Sequence, residues 1–123
     1  MDATTGWTEV WAELRVRLAS QKSCGQHPEY PCVRTLAQGI VNDVVEISED
    51  RVVVRSHRTR KEDPIPARRL KKWWDALQAH GRVACTRGHP NNPHPWRSRI
   101  VAAIFATCLP DLVRVDGDDL VLL

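Results

Sequence analysis

The chain has 123 residues, 42% of them hydrophobic and 27% charged, which suits a single domain (1–123) with a real core. No apolar run approaches the roughly 18 residues that span a bilayer. The start, MDATTGWTEVWAEL, lacks the basic and apolar regions of a secretory signal, so the expectation is a cytoplasmic protein, no membrane partner, and four mostly reduced cysteines. A net charge of +3 hides an asymmetry. Residues 51–99 hold thirteen Lys or Arg and three acids, a net of +10; the rest holds five bases and twelve acids, a net of −7. Such a block predicts one basic surface facing an anionic partner.

Residues 7–22 read as an amphipathic helix, because Trp7, Val10, Trp11, Leu14 and Leu18 recur at helical spacing, with Thr5 or Thr8 as cap. Residues 23–39 read as a loop broken by Gly25, Pro28 and Pro31. GIVNDVVEISEDRVVVRS reads as a β-hairpin: Ile40, Val41, Val44, Val45 and Ile47 form one strand, SEDR the turn, and VVVRS the return. After RKED comes a helix, PARRLKKWWDALQAH, closed by Gly81. RVACT is a short strand, RGHPNNPHPW an exposed loop, and SRIVAAIFATCL a helix that Pro110 stops. LVRVDGDDLVLL is a second hairpin, its Asp116-Gly117 pair favouring a tight turn. The order predicts an α+β fold: two antiparallel hairpins packed with three main helices, over residues 40–123 and the N-terminal helix. The apolar LVLL end reads as a strand needing cover, an expectation that the chain forms part of a longer protein.

The run DPIPARRLKKWWDALQAHG poses the main functional question, whether its tryptophans face nucleic acid or core. On a wheel at 100° per residue, Leu70, Trp73, Trp74, Leu77, Ala67 and Pro66 share an arc of roughly 120°, the width of a core-facing stripe. Arg68, Arg69, Lys71 and Lys72 lie opposite, with Asp75 the only acid near them. Arg68 and Lys72 repel each other at i, i+4 unless an anion relieves them. Arg55, His57, Arg58, Arg60 and Lys61 precede this helix. Trp96, between His94 and Arg97, could stack on an exposed base, with Arg97 and Arg99 on phosphate; the competing reading folds the ring over a sheet edge.

From about Pro64 onward the sequence resembles winged-helix-like domains of bacterial DNA-processing and restriction-type proteins. The resembling elements are PARRLKKWWDALQAHG, RVACT, WRSRIVAAIFATCLP and LVRVDGDDLVLL. The resemblance implies a helix docked on nucleic acid and a β-wing at the Asp-Gly turn. It departs in two places: the Pro-rich loop 88–95 stands where a helix precedes the recognition helix, and the wing, DGDD, is acidic.

Cys24, His27 and Cys32 form C-x2-H-x4-C, and Cys85 and His89 form C-x3-H; together they are candidate zinc ligands, against buried thiols and surface histidines as the competing reading. Cys108 belongs to the apolar face of its helix. HPNNPHPWR is too short and proline-rich for a His-Asn-His nuclease, and no phosphate-binding Gly loop or nucleophile elbow occurs. Glu46, Glu49 and Asp50 sit at a hairpin turn without a nearby lysine. The expectation is therefore a noncatalytic module, with no cofactor, that binds nucleic acid. Duplex DNA is favoured over RNA, with Arg55, Arg58, Arg60, Lys61, Arg68, Arg69, Lys71, Lys72, Trp96, Arg97 and Arg99 at the contact. Other subunits of a DNA-processing complex are expected neighbours. The alternative is a scaffold domain whose basic face meets an acidic protein.

Overall fold

The computed structural model describes all of residues 1–123. The elements run α1 (Trp7–Ala19), β1 (Cys32–Arg34), β2 (Val41–Ile47), β3 (Arg51–Ser56), β4 (Glu62–Pro66), α2 (Ala67–His80), β5 (Arg82–Ala84), α3 (Ser98–Cys108), β6 (Val113–Asp116) and β7 (Asp119–Leu122). The fold is α+β, with three helices and two antiparallel sheets. One sheet is a meander, β1-β2-β3-β4; the other has the order β5-β7-β6. No helix is long and apolar enough to cross a membrane. A single core of 26 buried residues draws on all three helices and both sheets.

Helix α1 stops at Ala19, three residues short of the expected end. The Ser20 hydroxyl donates to the Val16 carbonyl at 2.8 Å, a local bond that competes with continued helix. Neither threonine caps its start: Gly6 is the N-cap and supplies no side-chain bond. Helix α2 ends as expected, on Gly81 at φ +73°.

The first hairpin forms as β2 and β3, with a bulge at Val45 between the Val44 and Glu46 pairs. Two strands on either side of it were not expected. Strand β4 carries Pro64 and Pro66, which a central strand would reject, but it lies at the sheet edge, where a missing N–H costs no ladder bond. Strand β1 is only three residues long, within the expected 23–39 loop. The second hairpin turns one residue later than the Asp-Gly pair suggests. Asp116 pairs with Asp119, leaving Gly117 and Asp118 as the turn, and only Gly117 takes positive φ.

Alternation along the meander separates two faces. Val33, Val44, Val52, Val54 and Ile65 point into the core. Asp43, Val53 and Arg55 belong to the other face, yet Asp43 is only 1% exposed. The 23–31 segment, pinned by a Cys24–Cys32 disulfide, folds over it: Arg55 lies 5.3 Å above the Tyr30 ring, and the His27 ring reaches the His57 ring at 5.8 Å.

Candidate nucleic-acid interface

Helix α2 supplies the first wall of the basic surface. Leu70, Trp73, Trp74 and Leu77 are all buried, so the paired tryptophans belong to the core and cannot stack on bases. Arg68, Lys71 and Lys72 are exposed on the other side. Lys71 is matched by Asp75 at 2.8 Å, while Arg68 and Lys72 make no ion pair. Arg69 is half-buried. Burial pulls its guanidinium below the ordinary value, opposed by Asp63, and its Nη1 has no hydrogen-bond partner.

The Pro-rich loop forms the second wall. Asn92 Nδ2 donates both to the Thr86 carbonyl (3.1 Å) and to the buried Ser98 hydroxyl (3.0 Å), which itself donates to the His94 carbonyl (3.1 Å). The loop is thereby fixed to the segment after β5 and to the start of α3. His94 is held below its usual range, first by burial and then by the charges of Arg69 and Lys72. Trp96 is 52% exposed, with the Arg97 guanidinium 5.9 Å over its ring, so it is not folded onto the sheet. Arg97 caps α3 in a left-handed backbone conformation, φ +55° and ψ +35°, and binds Asp63 at 2.6 Å. Such strain costs a non-glycine residue about 1–2 kcal/mol and concentrates at functional positions. Arg60, in the turn after β3, shares it at φ +61°.

On its other side the loop, through Pro95 and Arg97, lines a groove of about 590 Å³ between the two sheets, to which α2 contributes no residue. Arg58 and Thr59 from the β3–β4 turn line one side, Thr86 and Arg87 after β5 the other, and Arg97 and Arg99 the start of α3. Buried Asn42, Ser56 and Ser98 also line it, and no carboxylate does. Arg99 is tied to Asp118 at 3.4 Å and Arg97 to Asp63, whereas Arg58 and Arg87 make no ion pair. An anion entering the groove meets free guanidiniums, hydroxyls and an amide, the donor set that suits phosphate.

The expected contact residues thus divide. Arg58, Arg97 and Arg99 converge in the groove, and Trp96 stands next to Arg97 in the loop at its rim. Arg60 and Lys61 stand exposed in the turn beyond Arg58; on α2, Arg69 and Lys72 come near the loop at His94, while Arg68 and Lys71 lie on the exposed face of the helix, outside the groove. Arg55 points elsewhere, across the outer face of the meander to Asp43 at 3.6 Å. Arg87 was missed. It is isolated by Thr86 and Gly88 in the sequence, and only the fold of the loop brings it opposite Arg58. Helix α3 has eight of its eleven residues buried and offers no free face to a partner. The acids of the second hairpin are spent within the protein: Asp116 and Asp119 on Arg82, Asp118 on Arg99.

The zinc set does not assemble. Cys24 and Cys32 are joined in a disulfide, which also corrects the expectation that these thiols are reduced. Cys85 is buried, and burial raises its thiol to about 11. His89 is exposed, its Nδ1 accepting from the Asn91 N–H at 3.0 Å. Cys108 is core, with its thiol pushed by burial to about 12. Comparisons of the chain with protein-family models, with curated proteins and with solved structures yield no match.

Proposed function

We propose that the protein is a nucleic-acid-binding module that grips the phosphate backbone of duplex DNA in the groove between its two sheets. The observation that carries this reading is the groove itself: four arginines, polar donors between them, and no carboxylate in the lining. Helix α2 and the β3–β4 turn extend the basic surface on both sides, and Trp96 stands at the rim where an unstacked base or a sugar would pass. The strand order β5-β7-β6, with α2 before β5 and α3 before β6, supports a winged-helix-like half. In this reading α3 is a packing element and α2 with the arginine groove is the contact. No group in the groove is arranged as a nucleophile and base, so the proposal is binding without catalysis.

Fluorescence anisotropy with a labelled duplex tests it. With about five phosphate contacts, affinity should fall about 500-fold between about 50 and 200 mM salt. Arg58→Glu with Arg87→Glu removes two contacts and should reduce that ratio to about 40-fold, besides weakening binding at low salt. Both side chains are exposed and unpaired, so the circular dichroism spectrum should not change. Arg68→Glu with Lys72→Glu should weaken binding in the same direction. Salt-independent binding, or unaltered binding by the Arg58/Arg87 variant, overturns the proposal. No binding at low salt favours an acidic protein partner instead.

A further inference from the structure

We propose that His27, Asp43 and His57 form a binding site for one divalent ion of the zinc class, on the outer face of the meander and independent of the arginine groove. The three ligand atoms, one from each residue, lie within 4.8 Å of one another. His57 Nε2 is 2.9 Å from Asp43 Oδ2, and His27 Nε2 is 3.9 Å from the same oxygen. A tetrahedral ion about 2.0–2.2 Å from each ligand needs those atoms about 3.3–3.6 Å apart. The His57–Asp43 separation lies below that range and the His27–Asp43 separation above it, so the first pair opens and the second closes on binding; His27, half-exposed on a loop, has room to move.

The second observation is the state of Asp43. It is 1% exposed, and neither carboxylate oxygen has a hydrogen-bond partner. The approach of His57 Nε2 lies off the N–H direction, so that nitrogen is also buried without a hydrogen bond. A buried carboxylate normally collects two or three donors, because an unsatisfied one costs several kcal/mol. His57 Nε2 and Asp43 Oδ2 thus lie close together, both buried and with no hydrogen bond to give up, so a cation placed beside them would meet two available donor atoms. The competing cations are the two imidazoles when protonated and Arg55, whose Nη2 is 3.6 Å from Asp43 Oδ2; Arg55 is stacked on Tyr30, 5.3 Å away, and can keep that contact when the oxygen turns to a metal.

The scaffold is suited to holding the three. Asp43 pairs with Cys32 on one side and Arg55 on the other, and His57 follows β3 two residues past Arg55, on the same face. His57 is anchored by its N–H to the Val41 carbonyl at 2.9 Å. The disulfide ties the loop bearing His27 to the strand beside Asp43. A cleft of about 310 Å³ lined by Gln26, Ser56, Arg55 and Arg60 adjoins the two imidazoles. With three protein ligands, the fourth position faces this cleft, where water or a small anion completes the shell.

The test uses the full chain, treated with chelator and titrated with zinc sulfate by calorimetry and with cobalt(II) by visible absorption. The expected result is one ion per chain and the intense ligand-field bands of four-coordinate cobalt. His27→Ala decides, because His27 sits in a half-exposed loop and its loss leaves the fold intact by circular dichroism. It should weaken zinc at least about tenfold, as should Asp43→Asn. Absence of stoichiometric uptake overturns the proposal. So does equal uptake by His27→Ala, which would place the ion on other histidines.

Discussion

Trp73 is fully buried in α2, yet its Nε1 is a buried donor with no acceptor. Two effects therefore oppose each other at one side chain: a large apolar ring stabilises the core, and its N–H is paid for without return. Trp73→Ala removes both. Truncation of a buried tryptophan costs about 3–5 kcal/mol, a large part of the about 5–15 kcal/mol that holds a domain folded. With an unfolding entropy of about 2.1 cal/mol/K per residue over 123 residues, 4 kcal/mol corresponds to a fall in Tm of about 15 °C. Trp73→Phe keeps most of the ring and removes the orphan donor. Relief of about 1–3 kcal/mol offsets the smaller cavity, and Tm should stay within about 4 °C of the parent. Trp11 is the control: its Nε1 donates to the Glu49 carbonyl at 2.8 Å, tying α1 to the β2–β3 turn. Trp11→Phe loses a satisfied bond and should cost about 1 kcal/mol more than Trp73→Phe. Differential scanning calorimetry of the three variants reads the comparison. If Trp73→Phe is as damaging as Trp73→Ala, the indole N–H is satisfied in solution and the reasoning fails.

Thiol titration with an aromatic disulfide reagent should find no reactive cysteine in the native protein, since Cys85 and Cys108 are buried with raised pKa values. Denaturant should expose two thiols and prior reduction four; four without reduction would show that Cys24 and Cys32 are not joined. The Arg17 guanidinium hydrogen-bonds Asp111 and holds its carboxyl below the usual range, linking α1 to the segment after α3. A depressed carboxyl stabilises the fold above its unfolded pKa, about 3.9, and loses that contribution as pH falls through the lower folded value. Because the pair is partly exposed, Asp111→Asn should cost under about 1 kcal/mol at neutral pH. Urea midpoints of parent and variant should then converge as the medium becomes acidic; a gap that widens at low pH contradicts the pairing.

Helix α2 was legible because its information is local. Leu70, Trp73, Trp74 and Leu77 recur at helical period and Gly81 closes the turn, so both the dry arc and the basic face follow from spacing alone. Strand β4 was not, because proline tolerance depends on whether a strand lies at an edge, and edge position is a property of the whole sheet. The same distinction divides the sites. A charge block of +10 over residues 51–99 announces a basic surface but not its shape. Arg58 and Arg87 are 29 positions apart and meet across the groove only because β5 and the loop after it pack beside the meander.

Asp43 shows how far a local signal reaches. Within GIVNDVVEI an acid interrupts a β-branched run, and period-two alternation puts it on the opposite face from Val44, with Arg55 and His57 as cross-strand neighbours. Alternation by itself assigns that face to water, where an aspartate needs no partner. What changes its meaning is the 23–31 segment, which carries no periodic pattern and whose placement depends on the disulfide and on Tyr30 under Arg55. Once that loop covers the sheet, a routine surface acid becomes a buried carboxylate beside two imidazoles. The sequence holds Cys24, His27 and Cys32 in one short motif that suggests metal ligation. The fold spends the two sulfurs on each other and leaves the histidine to meet Asp43 and His57, ligands that no contiguous motif contains.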